Sequence, residues 1–190
     1  MSIVICPGIH EPGLTDRFVS SLLRPVTDKY PRLNSKNILI VPDEGLLPLS
    51  GFHIVNFLYQ NLGDWNHQPV LFISFSAGVV GAIAAAHIWQ IFGGQVKAFI
   101  AIDGWGVPLL GNFPIHRMSH DYFTHWSSSL FGREQNDFYA DPSVEHLEMW
   151  RSPQNVQGWC VGADSEQSHK KLQLTAAEFV HILVKRYEEN

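Results

Sequence analysis

Basic residues are few and dispersed. Lys and Arg number 13 against 18 Asp and Glu, leaving a net charge of −5. Tracking a phosphate backbone needs a concentrated cationic face, so general nucleic-acid binding is excluded as an expectation. Cysteine is nearly absent: Cys6 and Cys160 stand far apart, each in an apolar run. Two such residues make no disulfide framework, and buried reduced thiols in a cytoplasmic setting are expected. Long hydrophobic runs are also missing. The most apolar stretch, Val79 to Trp89, is too short to span a bilayer. No charged leader precedes the first apolar run, so no signal peptide is read.

The 190 residues suit one domain spanning 1–190. Hydrophobic residues make up 45% and charged residues 16%, which favours a well-buried core over disorder. Five runs rich in Val, Ile or Phe read as buried strands: Ser2–Cys6, Asn37–Val41, Val70–Phe75, Val96–Ile102 and Val156–Val161. They lack strict alternation, as strands covered on both faces do. Helical patterns fall between them, at Thr15–Tyr30, Phe52–Leu62, Ala77–Phe92 and from Thr175 onward. Ser50 is placed to cap the second, and Thr175-Ala-Ala-Glu178 has capping-box spacing. The expected class is α/β: three layers, α/β/α, around a mostly parallel sheet of about five or six strands. No clear strand pattern appears over about 104–153, which reads as a lid-like insertion.

The chemical signal is a turn. Val70-Leu-Phe-Ile-Ser74-Phe75-Ser76-Ala77-Gly78 runs from a strand straight into a small-residue helix. A serine at such an apex needs small flanks, because strand and helix approach closely around a strained backbone. The plainer reading is a serine that merely caps a helix. The rival phosphate-loop reading of Gly8 to Thr15 fails for want of a lysine, since Leu14 stands there.

On these residues the chain resembles the α/β-hydrolase superfamily, as a small member closer in size to the cutinase-like ones. The resemblance rests on element order and on the Ser76 turn. It implies a nucleophile at Ser76 and an oxyanion hole from the backbone N–H groups of Ile9 and Ala77, with Cys6-Pro7-Gly8-Ile9-His10 in the place of the family's oxyanion loop. It implies a base in the loop after the final strand, where His169 stands before the terminal helix. The acid is Asp103, at the end of Val96–Ile102, with Asp164 as the alternative acid and Asp43 a remote third.

The segment over 104–153 holds His116, His120, His125 and His146 with three of the six Trp. His116 and His120 are four apart, which on a helix with Asp121 could hold zinc, but no Glu follows the first His. No metal and no cofactor are therefore expected. A lid or pocket wall is the better use of these residues, and one of the histidines becomes the base if His169 points outward. The expected function is hydrolysis of carboxylic esters or thioesters through a Ser-His-Asp triad and an acyl-enzyme, on a small-molecule acyl substrate. The alternative is a hydrolase-like fold that binds a ligand or partner without turnover.

Overall fold

The computed structural model of the chain describes residues 1–25, 33–63, 68–128, 136–162 and 172–189. Eight strands form one sheet in the order β2-β1-β3-β4-β5-β6-β7-β8. The strands are β1 (Ser2–Cys6), β2 (Ile38–Ile40), β3 (Val70–Phe75), β4 (Val96–Ile102), β5 (Ile115–Ser119), β6 (Asp137–Ala140), β7 (Gln157–Val161) and β8 (Leu172–Thr175). Strands β1 to β6 pair in parallel. Strands β7 and β8 close that edge antiparallel.

The period-2 geometry of these strands splits the core in two. Ile3, Ile5, Leu71, Ile73 and Phe75 face α1 (Leu14–Leu22), α5 (Glu148–Arg151) and α6 (Ala176–Glu189). Val4, Cys6, Val70 and Phe72 face α2 (Gly51–Asn61) and α3 (Gly78–Ile91). A sixth helix, α4 (Tyr122–Ser128), follows β5. The two cores on opposite faces make this an α/β sheet covered on both sides, and explain the continuous apolar runs of β1, β3 and β4.

Local signals act where expected. Ser50 Oγ accepts from His53 N–H at the start of α2. Thr175 Oγ1 accepts from Glu178 N–H at 3.1 Å, while Glu178 Oε2 accepts from Thr175 N–H at 2.7 Å, a reciprocal capping box. Cys6 is buried and Cys160 half-buried, both as free thiols. Among the described residues no helix is long and apolar enough to cross a membrane.

Two expectations need correction. The sheet has eight strands, more than five or six, and the segment over 104–153 is not an insertion. It supplies β5 and β6, which continue the parallel sheet beyond β4. These strands are five and four residues long and carry His116, Arg117 and Asp137, so they lack the apolar run by which a strand is read. Their polar groups are satisfied internally. Asp137 Oδ1 accepts from Arg117 N–H. His116 donates through Nδ1 to Asn136 O at 2.8 Å and accepts at Nε2 from Tyr187 Oη at 2.8 Å. His116 is thus a strand residue beneath α6, not one face of a zinc-binding helix.

Burial lowers the His116 pKa to about 4, opposed by its bond to Asn136 and aided by Arg186 nearby. A histidine depressed in the folded state is neutral there while the unfolded chain takes a proton. Stability is therefore lost as pH falls from about 6.5 to about 4, by about 3 kcal/mol from this group. Urea unfolding at pH 7 and pH 4 checks this. His116→Gln, which cannot ionise, is expected to lose markedly less over that interval.

Candidate functional site

Four neighbouring parallel strands each deliver one polar residue just beyond their carboxyl ends. Phe75 of β3 pairs with Ile102 of β4, and Ile102 with Met118 of β5. Met118 pairs in turn with Phe138 of β6. Ser76 follows β3, Asp103 follows β4, His120 follows β5, and His146 stands in the loop after β6. Carboxyl ends of parallel strands are where the helical connections diverge and leave room for a site.

The ladder holds Ser76 and Asp103 to their turns. Ser76 N–H donates to Ile102 O, and Asp103 N–H donates to Met118 O. The chain then bends sharply at both, with φ of 50° at Ser76 and 51° at Asp103. Left-handed backbone at a residue with a Cβ costs free energy and is held only by its surroundings. Those surroundings are tight. A Cβ on Gly78 would run into Pro7 O, and one on Gly104 would lie 2.7 Å from Val79 Cγ1. These contacts explain the small flanks around Ser76.

The polar groups form a continuous chain. His146 Nε2 lies 3.0 Å from Ser76 Oγ. His146 Nδ1 lies 2.9 Å from Asp103 Oδ2. A carboxylate only accepts, so Nδ1 carries the ring proton and Nε2 is left to accept from the Ser76 hydroxyl. Asp103 is buried. Burial alone would raise its pKa, but hydrogen bonds from His120 and His146 outweigh it and hold the carboxyl below its ordinary range.

The loop bearing His146 is pinned from two sides. Val144 N–H donates to His120 O, and Asp141 N–H to Gln157 O. The imidazole lies on an aromatic stack. Its ring is 4.8 Å from that of Phe75, which is 4.9 Å from Trp150, which is 3.7 Å from Phe18. Phe75, Trp150 and Phe18 are fully buried, so the ring rests on a rigid support.

Of the residues expected from sequence, Ser76 and Asp103 come together, bridged by His146. His169 and the alternative acid Asp164 lie outside the described residues. Sequence reasoning gave His146 no individual role, because the four-residue strand before it went unread. With β6 recognised, its loop becomes the place to look for a base.

The expected oxyanion donors flank Ser76. Ala77 opens α3, where amide groups have no carbonyl one turn back. A Cβ on Gly8 would lie 3.0 Å from Ser76 Cβ and 2.9 Å from Phe75 O, so the peptide leading into Ile9 runs directly beside the serine. His10 turns away, its ring nitrogens 3.0 Å from Glu11 O and 3.2 Å from Thr15 Oγ1.

A cavity of about 360 Å³ opens over these groups, lined by Ser76, Ala77, Asp103, Trp105, His120, Thr124 and His146. Four of these, Trp105, His120, Thr124 and His146, come from the segment over 104–153. Trp105 is largely exposed and donates through Nε1 to Ser127 Oγ at 3.0 Å, tying the turn after β4 to α4.

Asp103, His120 and His146 also bring donor atoms within 4.8 Å of one another. Such a spacing is open to a divalent cation. As they stand, the two imidazoles point their Nδ1 atoms at the same carboxylate oxygen and are occupied by hydrogen bonding.

The arrangement is suited to acyl-transfer chemistry: a half-buried serine hydroxyl, an imidazole acceptor within reach, a buried carboxylate behind it and backbone amides beside it. No protein-family model matches this chain, and no curated protein does.

Proposed function

We propose that the protein is a serine hydrolase of carboxylic esters or thioesters, with Ser76 as nucleophile, His146 as base and Asp103 as the orienting acid. The observation that carries the reading is the unbroken hydrogen-bonded chain from Ser76 Oγ through His146 to Asp103. A helix-capping serine would need neither partner. The backbone strain at Ser76 supports it further, since the turn holds the hydroxyl up into the cavity.

In the proposed reaction Ser76 Oγ attacks the acyl carbonyl as its proton passes to His146 Nε2. Asp103 holds the ring by its Nδ1–H and stabilises the imidazolium. Negative charge gathers on the carbonyl oxygen, and the amides of Ala77 and Ile9 are the groups that would receive it. His146 then returns the proton to the leaving alkoxide or thiolate. Water, deprotonated by the same imidazole, releases the acid and restores the Ser76 hydroxyl. No cofactor is needed for these steps. The chain order Ser76, Asp103, His146 supports the reading, because the resemblance to α/β-hydrolases implies nucleophile, acid and base in that order.

A fluorophosphonate probe tests the reading. Wild-type protein is expected to label and Ser76→Ala to lose labelling entirely. An unlabelled wild-type protein, or equal labelling of the variant, leaves ligand binding without turnover as the remaining reading.

A further inference from the structure

Asp103 is held by two histidines, and the reaction just described uses only one. His120 donates its backbone N–H to Asp103 Oδ1 at 2.9 Å and its Nδ1–H to Asp103 Oδ2 at 3.0 Å. His146 donates to the same Oδ2 at 2.9 Å. Both imidazoles therefore share one carboxylate oxygen, with ring centroids 6.0 Å apart and planes nearly perpendicular.

We propose that His120 is a positioning residue of the Ser76 site: it clamps the Asp103 carboxylate at both oxygens and, as an imidazolium, offsets part of the negative charge that His146 meets. The inference rests on the serine-hydrolase reading for its role, though not for its physical content.

The charge follows from what surrounds the ring. Nδ1 faces Asp103, and Nε2 lies 3.4 Å from Asp121 Oδ2. An acceptor-only group stands opposite each nitrogen, and only the doubly protonated ring offers a donor to both. Asp103 arrives from the end of β4, Asp121 from the turn between β5 and α4, and Glu145 from the loop that carries His146. The bond from Asp103 raises the His120 pKa, burial opposes it, and the charges of Asp103, Asp121 and Glu145 add to the rise. Asp121 is itself held in place, since its Oδ1 accepts from Thr124 N–H at 2.6 Å.

The consequence concerns the base. A carboxylate with no counter-charge would favour a proton on His146 Nε2, and an imidazole already protonated cannot take one from Ser76. A positive group at the same carboxylate oxygen weakens that pull while leaving the His146 hydrogen bond intact.

His120→Asn and His120→Ala separate clamp from charge. Both keep the backbone N–H at Asp103 Oδ1; asparagine adds a neutral donor near the Nδ1 position, and alanine adds none. The acid limb of the kcat/KM profile for a short-chain aryl ester, measured in EDTA so that no bound cation contributes, is expected to move up by about one pH unit in both variants. His120→Asn is expected to keep more of the plateau kcat than His120→Ala. A merely structural residue would lower kcat without moving the limb. Long-range ¹H–¹⁵N spectra of the ring nitrogens read the same coupling without turnover. Both His120 nitrogens should carry protons at pH 7. A neutral His120 at pH 7 overturns the proposal whether or not the protein hydrolyses esters. Failure of wild-type protein to label with fluorophosphonate would instead overturn the reading of Ser76.

Discussion

His146→Ala is expected to lower kcat on a short-chain ester by about four orders of magnitude, while KM changes little. In the proposed reaction the imidazole takes the Ser76 proton in the transition state, so its loss falls on the chemical step. His169→Ala is the matched comparison and is expected to keep most of its activity, because His146 already occupies the position 3.0 Å from Ser76 Oγ. Steady-state assays of the two variants decide between the histidines. Loss of activity in His169→Ala with retention in His146→Ala would reverse the assignment. The residual rate in His146→Ala should stay above that in water, since the oxyanion donors proposed at Ala77 and Ile9 do not depend on the imidazole.

Trp150→Ala is expected to destabilise the protein by about 4 kcal/mol, read as a lower urea midpoint with little change in m. Trp150 is fully buried between Phe18 of α1 and Phe75 at the end of β3. Removing the indole leaves a large cavity between α1 and the end of β3. The same stack supports His146 through Phe75, so kcat is expected to fall as well, even where the variant is fully folded. Trp150→Phe keeps a ring in the stack and should retain more of both. If kcat in folded Trp150→Ala equals that of wild type, the stack serves packing alone and the Asp103 bond suffices to hold His146.

Much of this molecule is written locally. The apolar runs of β1, β3 and β4 are long enough to announce buried strands, and the caps at Ser50 and Thr175 act within three residues of themselves. The Ser76 turn was legible because a strained strand-to-helix turn constrains its immediate neighbours, and Asp103 because it follows an unmistakable strand. The histidine between them was not. His146 meets Ser76 across 70 residues, and its loop is placed by β6, a four-residue strand containing Asp137. Periodicity cannot find such a strand, because pairing with β5 and β7 rather than its own composition makes it one.

By itself the sequence determined an α/β chain with a strained serine turn and a carboxylate at the next strand end, since those depend on short-range sterics and on burial patterns. Only the tertiary structure decided the eight-strand sheet and which of the described histidines meets the serine. It also decided that a second imidazole shares the acid. The reason is geometric. Neighbouring parallel strands align residues distant in sequence to within a hydrogen bond's length, and nothing in the local chain records which strand lies beside which.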